Sequence, residues 1–220
     1  MKTLIVLFLY FVVLSSCMDE TFPTDYETQI VRKGNNYCDN SQAVIYSFMG
    51  RKYLATVKLD TSLFVHNEGA YQNKLLGFSE SSDVQYNSAR VTFHTLSDPT
   101  DSLKDELILK TYVYNNGKRL TDEKYTIELL RLSYLDVLAG LGHDSIRFEI
   151  EMTDKQYLFK VNNGQQVSMP RVGTLPLDSP KYILKLYYGG TPTAPHDMSI
   201  KIKYDRSIKG KAENIYKISY

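Results

Sequence analysis

An all-β protein, built as one or two antiparallel sandwiches, is what this chain predicts from three features. Apolar and polar residues alternate with period two along most of its length. Asn- and Gly-bearing segments punctuate these runs at the short, even spacing of sandwiches and barrels. Beyond Leu14, charges interrupt every strand-sized apolar run, whereas a membrane-spanning helix needs ~20 uninterrupted apolar positions.

In chain order, residues 42–49 and 52–59 read as two strands joined by a Gly50-Arg51 turn, the second placing Tyr53, Ala55, Val57 and Leu59 on one face. Val91 and Phe93 flank Thr92 in the same manner. Ile108, Lys110, Tyr112 and Tyr114 share a face that is only half apolar, as a half-solvated sheet requires. Asn115-Asn116-Gly117 separates 107–114 from 124–132, and Asn162-Asn163-Gly164 separates 156–161 from 165–168 as a short hairpin. Both turns use residues that accept positive φ at low steric cost. Ile146, Phe148, Ile150 and Met152 oppose Arg147, Glu149 and Glu151, and Ile200, Ile202 and Tyr204 oppose Lys201 and Lys203.

One segment breaks the rhythm. Leu132, Leu135, Leu138 and Leu141 recur every third residue, Ser133 is a candidate N-cap, and Gly140 or Gly142 a stop. These signals predict one short helix near 133–140, its leucines lying across an open end of the sandwich. The polar, proline-containing stretch 97–106 divides the body into candidate units 27–97 and 106–220. Each is near the size of an immunoglobulin-like (Ig-like) sandwich; a single continuous sandwich, with 97–106 as a surface loop, is the alternative. With no Trp in the chain, Ig-like describes architecture alone.

Lys2, the apolar run from Leu4 to Leu14 and the small residues Ser15 and Ser16 make up a secretory signal over 1–16. Leu14-Ser15-Ser16-Cys17 resembles a bacterial lipobox. The resemblance implies that Cys17 is lipidated with palmitate-like chains and begins the mature protein, with 17–26 as a tether. Two or more acyl chains anchor a protein stably. Asp19 and Glu20 behind the cysteine resemble the export signal of Bacteroidota surface lipoproteins. That implies a lipid-anchored outer-membrane protein facing the cell exterior, the periplasmic face being the alternative. With Cys17 spent on lipid, Cys38 has no intramolecular disulfide partner, and burial as a small hydrophobe is expected of it.

Lys and Arg number 26 against 25 Asp and Glu. That balance excludes the electrostatic footprint of a nucleic-acid binder. No cofactor or metal site is expected. His66, His94, His143 and His196 lack ligand spacing, and Asp98, Asp101, Asp105 and Glu106 lack that of an EF-hand, so they read as a hydrated linker. His143-Asp144-Ser145 and His196-Asp197 place imidazole beside carboxylate with no nucleophile elbow, and no catalytic residue is assigned. Paired carboxylates for glycoside hydrolysis need only lie ~5–10 Å apart in the fold, and the sequence singles out no pair.

Tyrosine is the positive feature, with 18 Tyr and no Trp. A Tyr ring offers an apolar face and a hydroxyl to a glycan or a protein, although strand propensity alone also favours it. Tyr187 and Tyr188 precede Gly189-Gly190, one of the two being expected to face inward; Tyr112 and Tyr114 share a face with Lys110. These four are the ligand-binding candidates. The sequence thus predicts a non-enzymatic cell-surface lipoprotein acting as a binding or accessory module for a glycan or an outer-membrane protein. Two alternatives stand beside it. One is a structural or assembly subunit of a fimbria-like or outer-membrane complex, with Arg32 as a processing site near an early strand. The other is a hydrolase with scattered carboxylates.

Overall fold

The computed structural model describes residues 25–39, 45–65, 73–140, 145–172, 175–189, 192–205 and 212–213. The strands in chain order are β1 (Glu27–Val31), β2 (Ile45–Phe48), β3 (Lys52–Leu59), β4 (Asn73–Ser79), β5 (Ser88–Leu96), β6 (Glu106–Asn115) and β7 (Lys118–Arg119). They continue with β8 (Glu128–Ser133), β9 (Ile146–Met152), β10 (Gln156–Val161), β11 (Val167–Pro170), β12 (Lys181–Leu184), β13 (Met198–Tyr204) and β14 (Ala212–Glu213). Sheet A runs β1-β13-β3-β9-β10-β11; sheet B runs β14-β2-β12-β4-β5-β6, and β7 and β8 pair with opposite ends of β6. Every pairing is antiparallel.

Period-two alternation builds the core. Tyr53, Ala55 and Val57 of β3, the even-numbered apolar residues of β9 and β13, and Tyr157, Phe159 and Val161 of β10 point from sheet A onto Phe78, Val91, Phe93, Leu107 and Leu109 of sheet B. Phe48, Phe78 and Tyr157 pack edge to face with ring centroids 5.5–6.1 Å apart, and Tyr53 meets Tyr204 at 6.2 Å. Tyr53, Tyr157 and Tyr204 are therefore interior. Cys38 is buried with this core.

The sheets are wider than an Ig-like sandwich, which has seven to nine strands in all. The division at 97–106 does not describe the strand pairing either. Sheet A joins β1 and β3 to β9, β10, β11 and β13, and β5 pairs with β6 from Ser88↔Tyr114 to Leu96↔Glu106. The stretch is a connection within one sheet. Its acids accept bonds from loop backbone: Asp105 from Asp98, Asp98 from Thr100 and Asp101, and Asp101 from Leu103.

The two Asn-Gly turns form as expected, with Asn116 and Asn162 both at φ 49°. Gly50-Arg51 does not close a hairpin: β2 lies in sheet B and β3 in sheet A, so the chain turns a corner between layers. The short helix is α1 (Tyr134–Leu138), held by a capping box in which Ser133 Oγ accepts from the Asp136 N–H and Asp136 returns the bond to the Ser133 N–H, both at 3.0 Å. Its leucine stripe covers the core only in part: Leu132 packs against it, and Leu141 lies outside the described residues. Leu135 and Leu138 are 50% and 56% exposed, whereas Val137 is buried and Tyr134 packs on Phe64.

A buried ion pair ties the layers together. Arg171, beyond β11, donates from Nε (2.8 Å) and Nη2 (2.6 Å) to the two carboxylate oxygens of Glu80, beyond β4, and the Tyr157 hydroxyl donates to the same carboxylate. The Arg171 and Glu80 side chains are 2% and 0% exposed. Removing one partner of such a pair strands a charge in the interior. Arg171→Met and Glu80→Gln are each expected to cost ~3–5 kcal/mol in urea denaturation, and the double substitution less than the sum of the two.

Candidate functional site

Sheet B turns Ser88, Arg90, Thr92 and His94 of β5 and Glu106, Ile108, Lys110, Tyr112 and Tyr114 of β6 away from the core, and the register sets Arg90 beside Tyr112 and Thr92 beside Lys110. Alternate residues on a strand lie ~6.8 Å apart, so this row runs ~20 Å from Glu106 to Tyr112.

Two β-bulges bring charges onto this face. In β4, Leu76 and Phe78 face the core, and strict alternation would send Lys74 in with them. An irregularity between Lys74 and Leu76 admits Leu75 to the core instead and sets Lys74 opposite outward-facing Thr92. In β8, Leu130 and Leu132 lie opposite inward-facing Leu109 and Leu107. A second irregularity, at Leu109/Lys110, sets Glu128 opposite outward-facing Lys110.

At the β7 end the face is aromatic and cationic. Lys74 exchanges backbone bonds with Tyr187 (2.8 and 2.9 Å), which brings the Tyr187 ring over its side chain. The Lys74 ammonium stands 4.8 Å from the Tyr187 centroid and 5.5 Å from that of Tyr112. The guanidinium carbons of Arg119 and Arg90 lie 4.9 and 5.8 Å from the Tyr112 ring, with Tyr114 against its side and Tyr37 edge-on to Tyr187. Burial, with Arg90 and Arg119 adding like charge, lowers the Lys74 pKa to about 7. Burial raises the Tyr112 and Tyr187 hydroxyls, with Tyr114 and Tyr37 respectively adding to the effect.

At the β8 end the face is acidic. Arg131 bonds Glu106 through Nη1 (2.6 Å) and Glu128 through Nη2 (2.9 Å) and Nε (3.1 Å). These bonds hold Glu128 below its ordinary range. His94 is lowered first by burial and next by Lys110, while Glu128 pulls the other way. On sheet A, Glu149 and Glu151 also share a cation, Lys52, as a cross-strand ion pair of a lysine-bearing solvated face.

Three of the four sequence candidates, Tyr112, Tyr114 and Tyr187, thus meet on the outer face of sheet B, where Tyr112 and the neighbouring Arg90 are buried and Tyr114 and Tyr187 half-buried. Tyr188 does not: it is fully buried, its backbone bonded to Asn36. Lys74, Arg90, Arg119 and the Glu106–Glu128 pair escaped the sequence reading, because two of these charges stand at core parity until the bulges turn them. Cys17 lies outside the described residues, as do His66 and His143. Arg32 bonds Asp39 and Asp197, each at 2.8 Å, while His196 turns to the Ser62 carbonyl. Among the described residues no group of three or more metal-ligating side chains comes together, and no helix is long and apolar enough to cross a membrane.

No protein-family model matches the chain, and no curated protein sequence matches it. Several solved structures are similar in outline. A mixed-linkage glucan GH16 protein of Bacteroides ovatus, in complex with a product, shares 12% identity at TM-score 0.42 over 86% of this chain and 81% of its own. The apo Crh5 transglycosylase shares 9% at 0.44 over 86% and 80%, and LamAcat from Zobellia galactanivorans 8% at 0.40 over 83% and 90%. These neighbours are glycoside hydrolase and transglycosylase jelly rolls. The Ig-like expectation is corrected by the two wide sheets themselves, and the expectation of a non-enzymatic module gives way to the glycan-active reading taken up below. At these values the likeness places no residue of the site.

The Lys74 environment has a measurable signature. Between pH 7 and about 10.5 the unfolded chain binds a proton at this lysine that the folded chain has released, so this group makes stability rise with pH across that window. Lys74→Met is therefore expected to melt above wild type at pH 6, with the gap shrinking by pH 10 in paired thermal melts.

Proposed function

We propose that the protein is a glycan-active hydrolase that lays a saccharide chain along β6 on the outer face of sheet B. The observation that carries this reading is the pair of bulges: each turns a charge out of core parity and onto the same face, Lys74 at one end and Glu128 at the other. Bulges recur beside active sites, where they re-aim side chains. Tyr114 and Tyr187, both half-buried, offer ring faces for sugars, while Tyr112 is buried among the cations, and the row along β6 is long enough for several sugars.

The glycosidic bond then lies over Glu106 and Glu128. Two carboxylates on one guanidinium stand no more than about 8 Å apart, a bound that admits both retaining and inverting pairs, and we take the inverting case, with a water between them. Glu128, held ionised by Arg131, takes the water's proton as the water oxygen bonds that carbon. Glu106 bonds Arg131 through Oε2 and keeps Oε1 toward the departing side of the bond, where it orients the solvent water that gives its proton to the departing sugar oxygen. Release of reducing ends from β-glucans, galactans and polyuronates tests the assignment. Glu128→Gln and Glu106→Gln are each expected to cut turnover ~100-fold or more with the melting temperature kept; undiminished turnover in both overturns it.

The same reading places this activity at the outer membrane, tethered through Cys17, with the membrane as partner. The lipobox at residues 14–17 and the acids behind it support that placement. Incorporation of labelled palmitate is expected in the wild type and lost in Cys17→Ser; equal labelling of both overturns the anchor.

A further inference from the structure

We infer that the cleft between β8 and the β10–β11 hairpin is a sugar-binding subsite, and that the sugars it takes, on the Glu128 side of the cleaved bond, are uncharged. The inference rests on the reading of Glu106 and Glu128 as the pair that works the glycosidic bond.

The row along β6 runs from these carboxylates toward Tyr112 and Tyr114, and so accommodates sugars on one side of that bond. A polymer cut within its length carries sugars on both sides. Across β8 from this row lies a cavity of about 430 Å³, inside the ~300–1,000 Å³ range of ligand pockets. Glu128 is part of its wall, so the cavity opens beside the group that activates the water.

Two strand edges form it. β8 borders sheet B beside β6, and β11 is the last strand of sheet A; among the described residues neither pairs with a further strand. The runs 127–129 and 164–168 line the gap between them. Successive side chains of a strand point to opposite faces, so a void that meets successive residues is bordered by strand edges, where backbone N–H and C=O groups stand in a row.

The lining selects the ligand. Ile127, Leu129 and Val167 are half-buried and offer apolar surface to the C–H face of a pyranose. Gln165, Gln166 and Ser168 are exposed, and their amides and hydroxyl give and accept hydrogen bonds as sugar hydroxyls do. Glu128 carries the only charge among the described lining residues, and its partner Arg131 is shared with Glu106. A uronate or a sulfated sugar placed here meets a carboxylate and no lining cation, and like charges brought together cost affinity.

Calorimetric titration of the full chain with thio-linked β-gluco- and galacto-tetrasaccharides, which resist cleavage, and with an oligogalacturonate tests both parts. At least one neutral probe is expected to bind about tenfold or more tightly than the uronate. The double variant Gln165→Ala/Gln166→Ala is expected to weaken that probe about tenfold through lost hydrogen bonds. Ser168→Phe, which fills the cavity from an exposed position, is expected to weaken it at least as much, both variants keeping the wild-type melting temperature. Unchanged affinity in both variants overturns the cleft and leaves the site on β6 standing. Comparable or tighter binding of the uronate overturns the uncharged class. Absence of binding by all probes overturns the cleft, and if no polymer releases reducing ends either, the glycan site falls with it.

Discussion

Glu80 carries its charge into the interior because Arg171 meets it with two N–H donors and Tyr157 adds a hydroxyl. These groups lie on both layers, β4 on one side and β10 and the end of β11 on the other, so the contact fixes the height at which the sheets stack. It also pins one end of β4. The other end is pinned by Asn73, which accepts from the Gly189 N–H at 3.1 Å, and by the paired bonds between Lys74 and Tyr187. A bulge caught between two fixed ends cannot slide along its strand, and a one-residue slip would exchange Lys74 for Leu75 on the outer face. Near the middle, Gly77 at φ 148° lets β5 approach so closely that a Cβ there would meet the Ala89 carbonyl at 2.3 Å. The interior pair and the surface lysine thus belong to one mechanical unit.

The part of this molecule legible in the sequence is the part governed by neighbours two residues apart. Tyr112 and Tyr114 share a face because their spacing says so, and of the adjacent Tyr187 and Tyr188 one turns inward, as period two requires. The turns at Asn116 and Asn162 are equally local, since the demand for positive φ is met by the residue itself. The capping box of α1 spans only residues 133–136 and is legible for the same reason.

What escaped is set by relations the sequence does not carry. Glu80 and Arg171 stand 91 positions apart, and nothing near either residue announces the other. Gly50 has the conformation of a turn, but a turn does not say which sheet its next strand will join, and here the chain crosses between layers. The bulges are harder still. Leu75-Leu76 and Leu129-Leu130 offer two adjacent leucines each, and only the cross-strand partner decides which is the extra residue. The tyrosines divide the same way: Tyr53, Tyr157, Tyr188 and Tyr204 serve the core, Tyr112 is buried on the outer face of sheet B and Tyr114 and Tyr187 are half-buried there, a split made by tertiary placement within one residue type.

The outer edge of β6 is shared by two strands. Next to Tyr114 its neighbour is β7, which contributes Arg119; from Lys110 to Glu106 it is β8, which contributes Glu128 and Arg131. Between them Thr111 closes the seam, its hydroxyl donating to the Tyr125 carbonyl and accepting from the Ile127 N–H. The aromatic-cationic half and the acidic half therefore hang on separate segments that meet at one threonine. The two halves hang on different backbone segments, so side chains on one side of that seam can change while the backbone that carries the other stays in register.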